Sequence, residues 1–265
     1  MTYCVALRLD RGIVFASDTR TSASVDNIAV FSKMHIWERK GDRVIVLLSA
    51  GNLAMTQSVV SLLNEGVDHG GDDERRSLLT VDTMFQAARL IGETIREVRR
   101  IDREAIEQNP SLFSASFILG GQIAEDTPRL FQIYQEGNFI EATKDTPYFQ
   151  IGEHKYGKPI IDRVAKPDMR MGTAAKLLLV SFDSTLRSNL SVGMPIDLLI
   201  YRKDTLQVGE QRRLEAEDPY FRMLSKAWAD ALRDAFSRLE EYQTEEEPSW
   251  MKPRGLTERE RERMD

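Results

Sequence analysis

Cysteine is almost absent from this sequence of 265 residues, which contains only Cys4. A chain with one cysteine cannot form an intramolecular disulfide, and such scarcity is typical of proteins from a reducing compartment. Apolar runs of about 18 residues, which a transmembrane helix requires, are also missing. The N-terminus lacks the basic and apolar regions of a signal peptide. We therefore expect a cytoplasmic protein that does not associate with membranes.

The sequence also has few histidines and no excess of positive charge. The three histidines are His35, His69 and His154, and none stands beside a serine in a turn in a way that suggests a Ser-His-Asp triad. Glycine-rich phosphate loops, His-Glu-x-x-His and Gly-x-Ser-x-Gly are absent. The formal net charge of −6 argues against nucleic acid as the main partner. We expect neither a metal nor another cofactor.

The apolar pattern predicts alternating blocks of strands and helices. Strands are predicted over residues 3–9, 13–16, 33–38, 43–50, 113–120, 129–135, 148–151 and 196–202, and helices over residues 53–64, 81–107, 158–164, 172–186 and 220–242. Residues 18–32 and 66–77 are polar and are predicted as irregular segments. Segregated blocks favour an α+β fold, in which two stacked sheets carry helices on both outer faces. We expect one domain over residues 1–244 and a charged tail over residues 245–265.

Thr2 is the first candidate for chemistry. Removal of Met1 would leave Thr2 with a free α-amine, whose pKa in model compounds is about 8. Such an amine can accept the proton of the threonine hydroxyl, which is otherwise a weak nucleophile. The position alone says little, because many proteins carry a small second residue for methionine removal. Cys4 is a weaker candidate, because a strand residue at this point is expected to face into a sheet.

Further residues strengthen the case for Thr2. Asp18 ends the second strand, Lys33 opens the next strand 15 residues later, and Gly51 stands between a buried strand and a helix. Together with the opening Thr-Tyr-Cys-Val-Ala, this set resembles the N-terminal part of proteasome β-subunits. It is most similar to the bacterial ancestral β-subunit type called Anbu. The resemblance covers roughly residues 2–202 and implies the four-layer αββα sandwich of N-terminal nucleophile hydrolases.

The resemblance also implies a role for each of these residues. Thr2 would attack through Oγ1, Lys33 would lower the pKa of the hydroxyl and amine, and Asp18 would hold Lys33 in place. The N–H of Gly51 would stabilise the oxyanion. Alternatively, Asp18 and Lys33 form only a surface salt bridge. The remaining implied site residues are Ser191, which would support the amine, and Arg20 and Ser22, which would bind substrate together with residues near His35 and Met55.

Two places depart from the family pattern. Ser188 stands where the family carries an aspartate that supports the amine, and Ile151-Gly152-Glu153 stands where it usually carries Gly-Ser-Gly, whose serine lies near the amine. The loop between Asp18 and Lys33 is also one residue shorter than usual. Because Thr2 directly follows Met1, we expect methionine removal and no autocleavage to expose the amine.

These observations predict a threonine peptidase or amidase that acts on a peptide or amide substrate. By resemblance, it would form a homo-oligomer, either a closed ring or an open helical assembly. The sequence neither indicates nor excludes an unfoldase partner. The alternative is a non-catalytic scaffold that keeps the fold and forms an oligomeric shell.

Overall fold

A computed structural model gives the structure of residues 2–24, 27–67, 76–103 and 114–242. The strands are β1 (Tyr3–Leu9), β2 (Gly12–Asp18), β3 (Arg20–Ser24), β4 (Asn27–Val30), β5 (Met34–Arg39), β6 (Arg43–Gly51), β7 (Ala115–Ile123), β8 (Arg129–Ile133), β9 (Phe139–Glu141), β10 (Tyr148–Gly152), β11 (Ile196–Arg202) and β12 (Glu210–Leu214). The helices are α1 (Leu53–Glu65), α2 (Met84–Ile101), α3 (Lys158–Val164), α4 (Met171–Ser188) and α5 (Pro219–Ser237).

The strands form two five-stranded antiparallel sheets and one small hairpin. The first sheet has the order β10-β1-β2-β11-β12, the second has the order β5-β6-β7-β8-β9, and β3 pairs only with β4. The predicted N-terminal hairpin is confirmed, because β1 and β2 pair from Cys4 opposite Ser17 to Leu9 opposite Gly12. The N-terminal strand β1 thus lies inside a sheet, and hydrogen bonds to β2 and β10 hold it on both sides.

Helices cover the outer faces of both sheets. Helix α4 packs on β1, β2 and β11, whereas α1 packs on β6 and α2 packs on β7 and β8. One apolar core lies between the sheets and includes Phe15, Val46 and Leu199. A second core fills the space between the second sheet and helices α1 and α2. The order of layers is therefore αββα, as predicted, with α+β content.

The main departure from the predicted elements lies in residues 18–32. This stretch contains the hairpin of β3 and β4, whose strands were not predicted because β3 is mostly polar and β4 is only four residues long. The short strands β9 and β12 were also missed, for both are at sheet edges and expose most of their side chains. Helix α2 begins only after Thr83, whose hydroxyl accepts from the N–H of Gln86 and caps the helix. Helix α5 ends at Ser237, five residues before the predicted end.

The chain divides into two units, Met1–Lys226 and Ala227–Asp265. The first contains both sheets, helices α1 to α4 and the start of α5. In the second, the described residues form the rest of α5 and the few residues that follow it. The predicted tail at residues 245–265 lies outside the described residues. No helix in the described ranges is long and apolar enough to cross a membrane.

Candidate active site

Thr2 stands immediately before β1 and is only 8% exposed. Its carbonyl oxygen accepts a hydrogen bond of 2.6 Å from the N–H of Glu153. Gly152 makes this approach possible, since a Cβ at that position would lie 2.0 Å from the Thr2 carbonyl oxygen. Thr2 lines a cavity of about 270 Å³ together with Lys33 and Gly51. The two sheets thus bring Thr2, Lys33 and Gly51 to one cavity.

Asp18 and Lys33 form a buried ion pair. Lys33 Nζ donates to Asp18 Oδ1 over 2.7 Å, and the side chains of Lys33 and Asp18 are 7% and 0% exposed. Lys33 Nζ also donates to the carbonyl oxygen of Arg20 over 2.6 Å. The alternative of a surface salt bridge is therefore wrong. A buried ammonium at this position can act on the groups of the cavity with little screening by solvent.

Asp18 is held by two further donors. The N–H of Tyr3 donates to Oδ1 over 3.0 Å, and the N–H of Gly193 donates to Oδ2 over 3.3 Å. Burial raises the pKa of Asp18, and the charge and hydrogen bond of Lys33 oppose that rise, as do the two N–H groups. The ionised carboxylate is the form that satisfies all three donors. Asp18 therefore links the chain next to Thr2 with Lys33 and with the segment before β11.

The N–H of Gly51 points away from its paired neighbour. Successive residues of an antiparallel strand bond alternately to the strands on either side. The N–H of Asn52 donates to Ser114 O on the β7 side over 2.8 Å, and the N–H of Ser49 donates to Lys33 O over 2.9 Å. By this alternation, the N–H of Gly51 faces the side of β5, whose pairing with β6 begins only at residue 34. This donor is therefore available to the cavity.

The residues predicted to bind substrate differ in their position relative to the cavity. Arg20 and His35 line the cavity, and Arg20 donates through its guanidinium to the carbonyl oxygen of Leu190 over 2.9 Å. Burial lowers the pKa of His35, which favours its neutral form. Met55 itself belongs to the core beneath α1, but Leu53, Thr56 and Gln57, which lie near it in the chain, line the cavity. Ser22 is on β3, but its side chain lies outside the described part of the structure.

The segment after α4 contains a site residue that the sequence did not indicate. Asn189 donates through Nδ2 to Glu153 Oε2 over 2.8 Å and accepts at Oδ1 from the N–H of Ser191 over 2.9 Å. Ser188 is exposed and takes no part in these contacts. The departure from the family pattern at Glu153 could have drawn attention to this region. Nothing in the sequence singled out Asn189.

Cys4 is completely buried between the sheets, as expected for a strand residue. Burial raises the pKa of its thiol well above the ordinary value, so the nucleophilic thiolate is disfavoured. Among the described residues, no group of three or more His, Cys, Asp or Glu side chains could hold a metal ion. The hydroxyl of Thr2 is therefore a better candidate for a nucleophile than the thiol of Cys4.

Comparisons with known proteins agree with this architecture. The profile of the proteasome subunit family matches residues 2–200. A search of curated proteins returned no match.

Among solved structures, Anbu from Hyphomicrobium sp. strain MC1 is 62% identical, with a TM-score of 0.84 over 92% of this chain and 100% of the other. Anbu from Yersinia bercovieri is 49% identical, with a TM-score of 0.84 and the same coverage. An Anbu complex from Pseudomonas aeruginosa, described as a helical assembly, is 46% identical, with a TM-score of 0.84 over 94% of this chain and 100% of the other. The chain therefore belongs to the proteasome subunit family, and within it is similar to the ancestral β-subunits called Anbu.

Proposed function

We propose that this protein is an N-terminal threonine hydrolase that cleaves peptide or other amide bonds and works in an oligomeric assembly of its own copies. The observation that carries this proposal is the buried pair of Asp18 and Lys33 at the cavity that Thr2 and Gly51 also line. A buried ion pair costs desolvation free energy and is weak evidence for stability. Its place beside a candidate nucleophile favours a catalytic role.

The proposed reaction begins after Met1 has been removed. The Thr2 α-amine takes the proton of the Thr2 hydroxyl while Oγ1 attacks the substrate carbonyl carbon. The ammonium of Lys33 lowers the pKa of that hydroxyl, and the N–H of Gly51 donates to the oxyanion of the tetrahedral intermediate. The α-ammonium then returns the proton to the departing amine, which leaves an ester on Oγ1. Water, activated by the same amine, hydrolyses the ester and restores the hydroxyl.

Assembly is the second part of the proposal. The relative from Pseudomonas aeruginosa forms a helical assembly, and this chain covers the whole of that relative's chain. Helix α5 exposes several large apolar side chains, namely Met223, Leu232 and Phe236. Such a surface on a terminal helix favours contact with another copy. We propose that these contacts help to build the assembly in which the nucleophiles work.

An irreversible probe tests the chemistry directly. We expect a β-lactone or peptide epoxyketone to modify Thr2 of the processed protein, as located by mass spectrometry of the N-terminal peptide. Thr2→Ala should remove the modification, whereas Thr127→Ala, at an exposed threonine, should retain it. Labelling that survives in Thr2→Ala would refute the assignment of the nucleophile.

The mass of the intact protein separates the enzyme from a non-catalytic scaffold. An active enzyme must lose Met1, because an amide nitrogen at Thr2 cannot act as the base. We expect the mass of the protein made in its native cell to correspond to a chain that begins at Thr2. Retention of Met1 on nearly every molecule would favour the scaffold.

A further inference from the structure

Glu153 contacts Thr2 through its backbone and is nearly buried. Its N–H holds the Thr2 carbonyl oxygen over 2.6 Å, and the residue is 7% exposed. Because β10 is hydrogen-bonded to β1, the segment that follows β10 must leave the sheet beside the start of β1. The segment that replaces the Gly-Ser-Gly of the family pattern therefore carries a carboxylic acid next to Thr2 in this chain.

The carboxylate of Glu153 is fixed by two donors. Oε1 accepts from the N–H of Lys155 over 3.0 Å, and Oε2 accepts from Asn189 Nδ2 over 2.8 Å. Burial raises the pKa of Glu153, but these two hydrogen bonds and the charges of Lys155 and His154 together outweigh burial, and the net pKa is below the ordinary value. The side chain therefore stays ionised at neutral pH, and each oxygen still has a lone pair for another donor.

Asn189 connects this carboxylate with the rest of the site. Asn189 Oδ1 accepts a hydrogen bond from the N–H of Ser191. The N–H of Gly193, two residues after Ser191, donates to Asp18. Gly193 also lies against the guanidinium of Arg20, since a Cβ there would be 2.1 Å from Arg20 Nε. The segment from Asn189 to Gly193 is thus held by Glu153 at one end and by Asp18 at the other.

We infer that Glu153, held by Asn189, is a positioning residue that fixes Thr2 and stabilises the positive charge on its α-amine. The inference rests on the proposed function, in which that amine becomes an ammonium during attack. It assigns to Glu153 and Asn189 the support that the family pattern places on a serine and an aspartate. The exposed Ser188 does not supply it, because its side chain carries no charge.

Other charges also act on this amine. Asp18 adds negative charge, whereas Lys33 and Arg20 add positive charge, and His35 lines the same cavity. Lys155 and His154 lie next to Glu153 in the chain and favour its ionised form. Because the other groups stay in place in a Glu153 variant, a change in the titration of the amine can be attributed to the lost carboxylate.

The test is the titration of the Thr2 α-amine, which does not require turnover. The rate of N-terminal acylation by acetic anhydride is measured against pH in the processed protein, and the N-terminal peptide is quantified by mass spectrometry. In Glu153→Gln we expect the pKa of the amine to fall by about half a unit or more, as expected from loss of a nearby charge. We also expect labelling of Thr2 by the irreversible probe to slow at least about 3-fold above that pKa, which is the factor that half a pKa unit corresponds to. Glu136→Gln, the same change at an exposed turn, should alter neither quantity.

An unchanged titration of the amine in a folded Glu153→Gln would overturn the inference. If that variant does not fold, Asn189→Ala decides, because it leaves the carboxylate present but removes the donor that holds Oε2. We expect a smaller fall in the pKa of the amine and slower labelling there, and wild-type values of both would equally overturn the inference. The titration is independent of the proposed function. If wild-type protein does not react with the probe but its amine titrates as expected, the hydrolase proposal fails and the role of Glu153 stands.

Discussion

Replacement of Lys33 by methionine tests the buried ion pair most directly. The change keeps the length of the side chain but removes the charge from a site where the partner carboxylate has no exposure. Removing one partner of a buried pair costs about 3–5 kcal/mol, because the other charge stays buried. Two N–H groups still bind Asp18, so we expect the lower end, about 3 kcal/mol, in the free energy of unfolding at pH 7.

The same variant should lose reactivity. Without the ammonium, the pKa of the Thr2 hydroxyl rises, and we expect labelling by the irreversible probe to slow at least about 100-fold. Urea unfolding and the rate of probe labelling provide the two measurements. In the double variant Asp18→Asn/Lys33→Met, we expect part of the stability to return but the labelling to stay slow, since no charge is then left buried.

Lys158→Met is the matched control for this experiment. Lys158 forms a pair with Asp162 over 3.0 Å on α3, but both side chains are about half exposed. Exposed pairs one helical turn apart contribute only about 0.5 kcal/mol, and labelling should be unaffected. If Lys33→Met lost no more stability than this control and reacted with the probe at the wild-type rate, the assigned role of Lys33 would be wrong.

Three further predictions concern other parts of the chain. Gly152→Ala should destabilise the protein by at least about 2 kcal/mol in urea unfolding. Gly152 has a φ of +79° and contacts the Thr2 carbonyl, so the site has no room for a Cβ. A variant with wild-type stability would refute this prediction. His35 should titrate below its ordinary pKa of 6.5 in NMR spectra. Since the unfolded chain binds this proton more readily, the stability that depends on neutral His35 is lost as the pH falls below 6.5, and His35→Gln should weaken that loss. Leu232→Ser and Phe236→Ser, at side chains 50% and 77% exposed, should reduce the size of the assembly in sedimentation experiments with little effect on the stability of the subunit; unchanged sedimentation would exclude α5 from the interface.

The layered fold could be predicted because its signals are local. Alternating apolar residues and a tight turn define the N-terminal hairpin, and the nearly continuous apolar run in residues 43–50 indicates a strand covered on both faces. The structure confirms both. The hairpin of β3 and β4 could not be predicted, because β3 is mostly polar, β4 is only four residues long, and the two strands pair only with each other.

Some features of the candidate site could likewise be predicted from the sequence, and others could not. The sequence by itself determined that Thr2, Asp18, Lys33 and Gly51 all stand at ends of strands, and a resemblance carried by those residues assigned them roles. Only the tertiary structure decided that Asp18 and Lys33 are buried, because burial depends on the layers that close around the strands.

The contact between Glu153 and Asn189 likewise depends on the tertiary structure. It joins residues 36 positions apart, one after β10 and the other after α4. No local pattern records such a contact, since it arises from the order of strands in the sheet and from the packing of α4 on that sheet. The sequence thus marked the candidate nucleophile and its neighbours, and the packing of distant segments determined what holds them in place.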